Sequence, residues 1–238
     1  QMFSDVLQQQ VMKQMGFGSL YDVADVVTYK PEKSWNYEVG AHLSTPSHKV
    51  QADLALFYID RRDQQLTVFP EGQVTGRLMT NAGRTRSFGG EASLLATLWR
   101  NLDLQVAYGY TRATFVKFDT GKADYAGNFI PYAPQHTLYA GASYTLRTGW
   151  NCLEYVIFRV AANGAGRIYW NEANTFSQPF YALLEASIRF EHRHWAVDVW
   201  GRNLTDTRYD TFYFMSIGNS FLQRGRPRTF GVSLSITL

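Results

Sequence analysis

Through most of this chain apolar and polar residues alternate with a period of two, the signature of β-strands with one apolar and one polar face. The cleanest case is Thr229–Leu238: Phe230, Val232, Leu234, Ile236 and Leu238 fall on one side, and Gly231, Ser233, Ser235 and Thr237 on the other. The apolar side carries no charge, and ten residues is about what a tilted strand needs to cross a bilayer's hydrocarbon. Eight earlier stretches repeat the unit. Trp35, Tyr37, Val39, Ala41 and Leu43 alternate with Asn36, Glu38, Gly40 and His42. Further strands are read at Val50–Tyr58, Thr85–Leu98, Asp103–Thr111, Thr137–Leu146, Val156–Asn163, Tyr181–Phe190 and Trp195–Arg202. Leu7, Val11 and Met15 have helical spacing, with Gly16 placed to end a helix; Tyr21, Val23, Val27 and Tyr29 alternate roughly, as a strand would.

The links between strands alternate short and long. Short ones lie near 45–49, 99–102, 149–151 and 191–194; long polar ones near 63–84, 118–134, 164–178 and 209–224. A Greek-key sandwich has no reason to keep that order, whereas an outer-membrane barrel does, with short periplasmic turns and long external loops. Aromatics crowd the strand ends (Trp35, Tyr37, Tyr58, Trp99, Tyr144, Trp150, Phe190, Trp195), as interface girdles require. The fold class is therefore all-β, a transmembrane antiparallel β-barrel. Nine strands leave an edge, and an unpaired edge in hydrocarbon costs several kcal/mol per backbone group. Either residues 17–30 add a tenth strand and a small barrel closes, or these are strands of a larger barrel.

Composition agrees. Charged residues are 18% and aromatics 16% of the 238 residues, with a formal net charge of +3. No apolar run reaches the length of a transmembrane helix. The chain begins with Gln1 and shows no signal peptide, so it is read as a mature, cleaved or partial chain. Cys152 is the single cysteine, which excludes a disulfide framework and a thiolate metal site. No basic run with interleaved aromatics points to nucleic acid. Nucleophile-elbow, zinc-helix and phosphate-loop signatures are absent, so no enzyme activity and no cofactor are expected. His192 and His194 sit in a tight turn without further ligands for a metal. Asn203-Leu204-Thr205 fits a glycosylation sequon by chance.

Several stretches, in this order, resemble the C-terminal barrel of TonB-dependent outer-membrane receptors: PEKSWNYEVG at Pro31–Gly40, NAGRTRSFGGE at Asn81–Glu91, IPYAPQHTLYAGASY at Ile130–Tyr144, GRIYWNEANT at Gly166–Thr175, NLTDTRY at Asn203–Tyr209 and GRPRTFGVSL at Gly225–Leu234. The resemblance covers about residues 31–238, and its ending is most similar to siderophore and cobalamin receptors. It implies a 22-stranded barrel around an N-terminal plug, of which residues 31–238 supply about the last nine strands and residues 1–30 an extracellular loop segment. It further implies active import of a scarce bulky ligand (an iron-siderophore, haem or cobalamin-like molecule) across the outer membrane of a Gram-negative bacterium. The implied partners are the rest of the receptor, TonB acting through the missing N-terminal part, and outer-membrane lipids with lipopolysaccharide. Such barrels usually end in Phe or Trp; here Leu238 is last, so either the native chain continues or the assembly signal is weaker. The alternative is a passive porin or small closed barrel with a structural or adhesive role.

Two sets of site residues follow. Tyr125, Asn128, Trp170, Asn171, Glu172, Asn174, Tyr213, Phe214, Gln223 and Arg224 lie in the external loops. Aromatics with Arg and Asn suit a bulky, oxygen-rich ligand; the competing role is to anchor the loops. Glu38, Asp53, Glu91, Arg159, Glu185, Arg189, Asp198 and Arg202 face the lumen by parity. Their bland role is a solvated, ion-paired wall or plug contacts; the sharper one is ligand contact.

Overall fold

A computed structural model describes residues 31–47, 49–68, 78–119, 123–216 and 219–237. The helix and strand expected before residue 31 lie outside the described residues. The described strands are β1 (Lys33–Ser44), β2 (Val50–Val68), β3 (Leu78–Leu98), β4 (Leu102–Lys117), β5 (His136–Trp150), β6 (Leu153–Gly166), β7 (Ile168–Tyr169), β8 (Ser177–Gln178), β9 (Tyr181–His192), β10 (Trp195–Arg202), β11 (Asp210–Ser216), β12 (Asn219–Arg224) and β13 (Thr229–Ile236). Nine of them form one antiparallel sheet in the order β1-β2-β3-β4-β5-β6-β9-β10-β13. Chain neighbours are sheet neighbours throughout, as the alternating link lengths require.

Side chains opposite each other across a ladder share a face, so the register carries each face from strand to strand. Val39 faces Leu56, Leu54 faces Ala92, Leu94 faces Val106, Val106 faces Ala140, Ala142 faces Val160, Val160 faces Ala186, and Val199 lies between Ile188 and Val232. This apolar face is uncovered: Val39 is 67% exposed, Leu56 63%, Phe230 69% and Val232 68%. No second sheet packs against it among the described residues, so there is no dry core of the sandwich kind. A face that is continuous, uncharged and bare is what lipid contact demands.

Three links differ from expectation. Both ends of the link expected at 63–84 are strand rather than loop: β2 continues to Val68 and β3 begins at Leu78. The links near 164–178 and 209–224 contain the small hairpins β7–β8 and β11–β12. The β1 and β13 edges each have one neighbour within the described sheet.

Candidate ligand site at the outer loops

Three links leave the sheet at the end away from the short turns, and they are knitted into one block. Asn128 Nδ2 donates to Glu172 O at 2.9 Å. The Asn174 amide bridges to the 118–135 link twice: Oδ1 accepts from Phe129 N at 2.6 Å, and Nδ2 donates to Phe129 O at 2.9 Å. Asn174 has φ 56°, a conformation asparagine tolerates better than most residues. Asn171 Oδ1 accepts from Thr175 N at 3.0 Å and Phe176 N at 3.3 Å, closing the turn between β7 and β8. Tyr132 O–H reaches the third link, donating to Tyr213 O at 3.1 Å. Its ring meets Trp170 at 5.5 Å and stacks on Phe212 at 5.6 Å. Phe176 stacks on Tyr213 at 4.6 Å, and Gln178 Oε1 accepts from Asp210 N at 2.8 Å. Aromatic stacking and satisfied amides of this kind hold long loops in one arrangement.

Of the ten residues expected at the loops, the structure brings most into this block. Asn128, Trp170, Asn171, Asn174 and Tyr213 have their polar groups or rings engaged there, and Trp170 and Tyr213 are each only 7% exposed. Glu172 lends its backbone carbonyl. Tyr125 packs at the edge of a small apolar cluster of Phe115 and Phe118. Phe214 stacks on Phe221 at 4.9 Å. Gln223 and Arg224 are exposed on β12, beside the half-exposed Phe221 and Leu222. The sequence reading missed Phe129, Tyr132, Phe176, Gln178 and Phe212, which join the loops to one another. The available signal was an aromatic beside a loop proline, as in Pro131-Tyr132.

The eight charged residues expected on the other side share one face by register. His42 faces Asp53, Asp53 faces Ser93, Ser143 faces Arg159, Ala161 faces Glu185, and Arg189 faces Asp198. Glu38 faces Phe57, Ala55 faces Glu91, and Arg202 faces Thr229 on the same parity. Seven of them fall into two groups. Around Glu38, Asp53 and Glu91 lies a depression of about 680 Å³, where the His42 Nδ1 proton is donated to Asp53 Oδ1 at 2.6 Å. Around Arg159, Glu185, Asp198 and Arg202 lies another of about 450 Å³. There Arg202 sits over the Trp200 ring at 4.8 Å, while Asp198 Oδ1 is buried with no hydrogen-bond partner. Arg189 is held by Glu191 at 2.8 Å.

The other features do not form sites. Asn203 is 5% exposed and its amide is fully used, donating to Thr207 O and Arg226 O and accepting from Thr207 N. No metal-holding group of three or more His, Cys, Asp or Glu occurs among the described residues.

The family model described as "TonB dependent receptor-like, beta-barrel" matches residues 12–204. The chain belongs to that family. TonB-dependent receptors of this type are transport receptors rather than enzymes, and they are outer-membrane proteins of Gram-negative bacteria. The chain is 28% identical over 218 residues to the pesticin receptor of Yersinia pestis, covering 89% of this chain and 30% of that protein. It is 24% identical over 163 residues to the ferrichrome outer membrane transporter/phage receptor of Escherichia coli K12, covering 68% and 20%. Among solved structures it is similar to the ferric yersiniabactin uptake receptor FyuA from Yersinia pestis, with TM-score 0.72, 25% identity, and coverage of 86% of this chain and 30% of that one. The chain thus spans about a third or less of the receptors it matches.

Proposed function

We propose that the chain is part of an outer-membrane receptor that binds and actively imports a scarce, bulky ligand, an iron-siderophore, haem or cobalamin-like molecule. The observation that carries this reading is the loop block. Three outer links fixed to one another by Asn174, Tyr132 and Gln178 present a preformed surface, which lowers the ordering cost of binding a large ligand. Phe221, Leu222, Gln223 and Arg224 offer apolar area beside amide and guanidinium donors. The names of the relatives support iron-siderophore as the first class to test. A passive pore has no use for such loops and is not favoured.

In this reading Glu38, Asp53, Glu91, Arg159, Glu185, Arg189, Asp198 and Arg202 line the lumen against a plug. The plug and the preceding strands come from the same receptor, TonB supplies the pull, and residues 1–30 form an outer loop segment. The lipid face meets outer-membrane lipids and lipopolysaccharide. The test is uptake of radiolabelled ferric hydroxamate, catecholate and mixed-chelate probes by cells carrying the full receptor, with and without a working TonB. TonB-dependent accumulation of one probe is expected. Equal accumulation without TonB, scaling with any small solute, would establish a passive pore instead.

A further inference from the structure

The hairpin β11–β12 is rooted on the charged face of the wall. Tyr209, just before β11, stacks on Tyr181 at 4.5 Å, and Tyr181 shares its side of β9 with Glu185 and Arg189. Gly225, just after β12, donates its N–H to Tyr209 O at 2.8 Å. Both ends of the hairpin therefore leave from the side opposite the lipid face.

The register divides the hairpin's side chains between two faces. Tyr213, Ser220, Leu222 and Arg224 take one, where Phe176 covers Tyr213. Phe212, Phe214, Phe221 and Gln223 take the other, and no charged residue of β11–β12 lies with them. The rings of this second face continue a stack that begins in the neighbouring link. Tyr132 meets Phe212 at 5.6 Å, Phe212 meets Phe214 at 5.6 Å, and Phe214 meets Phe221 at 4.9 Å, the last pair within 12° of parallel. There the stack stops. Among the described residues no second ring meets Phe221, which is 47% exposed. Rings that only brace the loops end buried, as Trp170 and Tyr213 do. Phe221 instead leaves a ring face open, and aromatic rings favour a further ring laid offset upon them. Beside it Gln223 is exposed, and its side-chain amide has no hydrogen-bond partner among the described residues.

We infer that the open end of this stack receives an aryl ring of the imported chelate, and that the chelate is a phenolate-bearing ferric complex of little net charge, with a phenolate oxygen accepting from the Gln223 amide. The inference rests on the import function proposed above and names its substrate class. Two features choose that class. A tris-hydroxamate complex is uncharged but offers no ring to Phe221. A tris-catecholate complex offers rings but is trianionic, and desolvating that charge against an uncharged face is costly. A phenolate paired with a neutral nitrogen donor supplies the ring and the neutrality together.

The test uses the full receptor purified in detergent, with heat-modifiable gel migration as the check on folding. The probes are ferric complexes built on one tripodal backbone: tris-hydroxamate, tris-catecholate and tris(hydroxyphenyl-oxazoline), the first and last neutral. Dissociation constants are read by equilibrium dialysis with radiolabelled iron. Wild type should bind the phenolate complex about fivefold tighter than either other, since each stacked ring pair contributes roughly two- to tenfold beyond area burial. Phe221→Leu keeps apolar area and removes the ring. It should weaken the phenolate complex about fivefold and change the hydroxamate complex by less than about twofold. Phe221→Tyr, which keeps the ring, should retain the wild-type preference. Equal or tighter binding of either other complex by wild type, or equal losses of all three in Phe221→Leu, would overturn the inference. The wild-type comparison decides even if a variant fails to fold. Uptake of the same probes by cells separates the two readings. TonB-dependent import of the hydroxamate or catecholate complex in place of the phenolate one removes this inference and leaves the import function standing; TonB-independent entry of all three removes both.

Discussion

Placing a charge on the two faces of β13 measures which one meets lipid and how deeply. Ile236 lies opposite Trp195 at the short-turn end, Leu234 opposite Val197 and Val232 opposite Val199. A strand residue rises about 3.4 Å, or ~2.6 Å of height at a tilt of ~40°. Val232 then stands about 10 Å and Leu234 about 5 Å above the Trp195 level, within an apolar band ~25 Å tall. The midplane falls nearest Val232, which is 68% exposed and so covered by no other part of the described chain. Val232→Arg should therefore destabilise by ~2–4 kcal/mol, Leu234→Arg by somewhat less, and Ile236→Arg by about 0–1 kcal/mol. On the opposite face Ser233 lies across from Asp198 and accepts a hydrogen bond from Trp200 Nε1 at 3.2 Å. Ser233→Arg forfeits that bond, worth about 1 kcal/mol. It also brings a guanidinium beside Asp198, whose Oδ1 lacks a partner, so its net cost should stay within about 1 kcal/mol. The assay is denaturant titration of the full receptor refolded into lipid vesicles. Equal costs at Val232 and Ser233, or a larger cost at Ile236 than at Val232, would refute the assigned face or depth.

Asn174→Gly keeps the backbone conformation but removes the amide that bridges to Phe129; it should destabilise the loop block by about 1–3 kcal/mol, read as faster proteolytic nicking in residues 118–135 with unchanged sheet stability. Gly231→Ala would drive a Cβ into the Trp200 ring, and a cost of about 1–3 kcal/mol is expected by equilibrium unfolding, with Ser233→Ala as a milder neighbour on the same face. The 238 residues refolded alone in detergent should give polydisperse, aggregating material, rescued by co-refolding with the upstream receptor chain; a compact heat-modifiable species from the 238 residues alone would contradict the open edges.

The sheet was legible because lipid enforces contrast. Where β1, β5, β9 and β13 cross the apolar band, one face must be apolar and the other need not be, so parity survives in every strand. Above the band both faces meet water and the contrast disappears. Arg61-Arg62-Asp63-Gln64-Gln65 is polar on both sides, and so the continuation of β2 to Val68 read as a loop. The small hairpin β11–β12 fails in the opposite way. Phe212, Tyr213 and Phe214 are consecutive aromatics: Phe212 and Phe214 are used on one side, by Tyr132 and Phe221, and Tyr213 on the other, by Phe176. At the site, residue type pointed to the right loops but not to the task. An asparagine offers the same amide to a ligand as to its own backbone, and only the fold reveals that Asn171 and Asn174 spend theirs on Thr175, Phe176 and Phe129.

The direction of the strands bears on how the sheet can be completed. All eight ladders of the nine-stranded sheet are antiparallel, so β1 and β13 run the same way. Closing β1 directly onto β13 would make one parallel seam. Parallel pairs have slanted, slightly weaker hydrogen bonds, and single-chain bacterial barrels keep an even strand count, which avoids such a seam. Leaving both edges open in hydrocarbon is worse, at several kcal/mol per unpaired N–H or C=O. The remaining solution is an antiparallel neighbour on each edge, drawn from outside β1–β13. An even number of intervening strands would break the alternation; an odd number restores it. A complement of thirteen strands, as a 22-stranded barrel would provide, is odd, and so it joins the nine with antiparallel pairing at every seam.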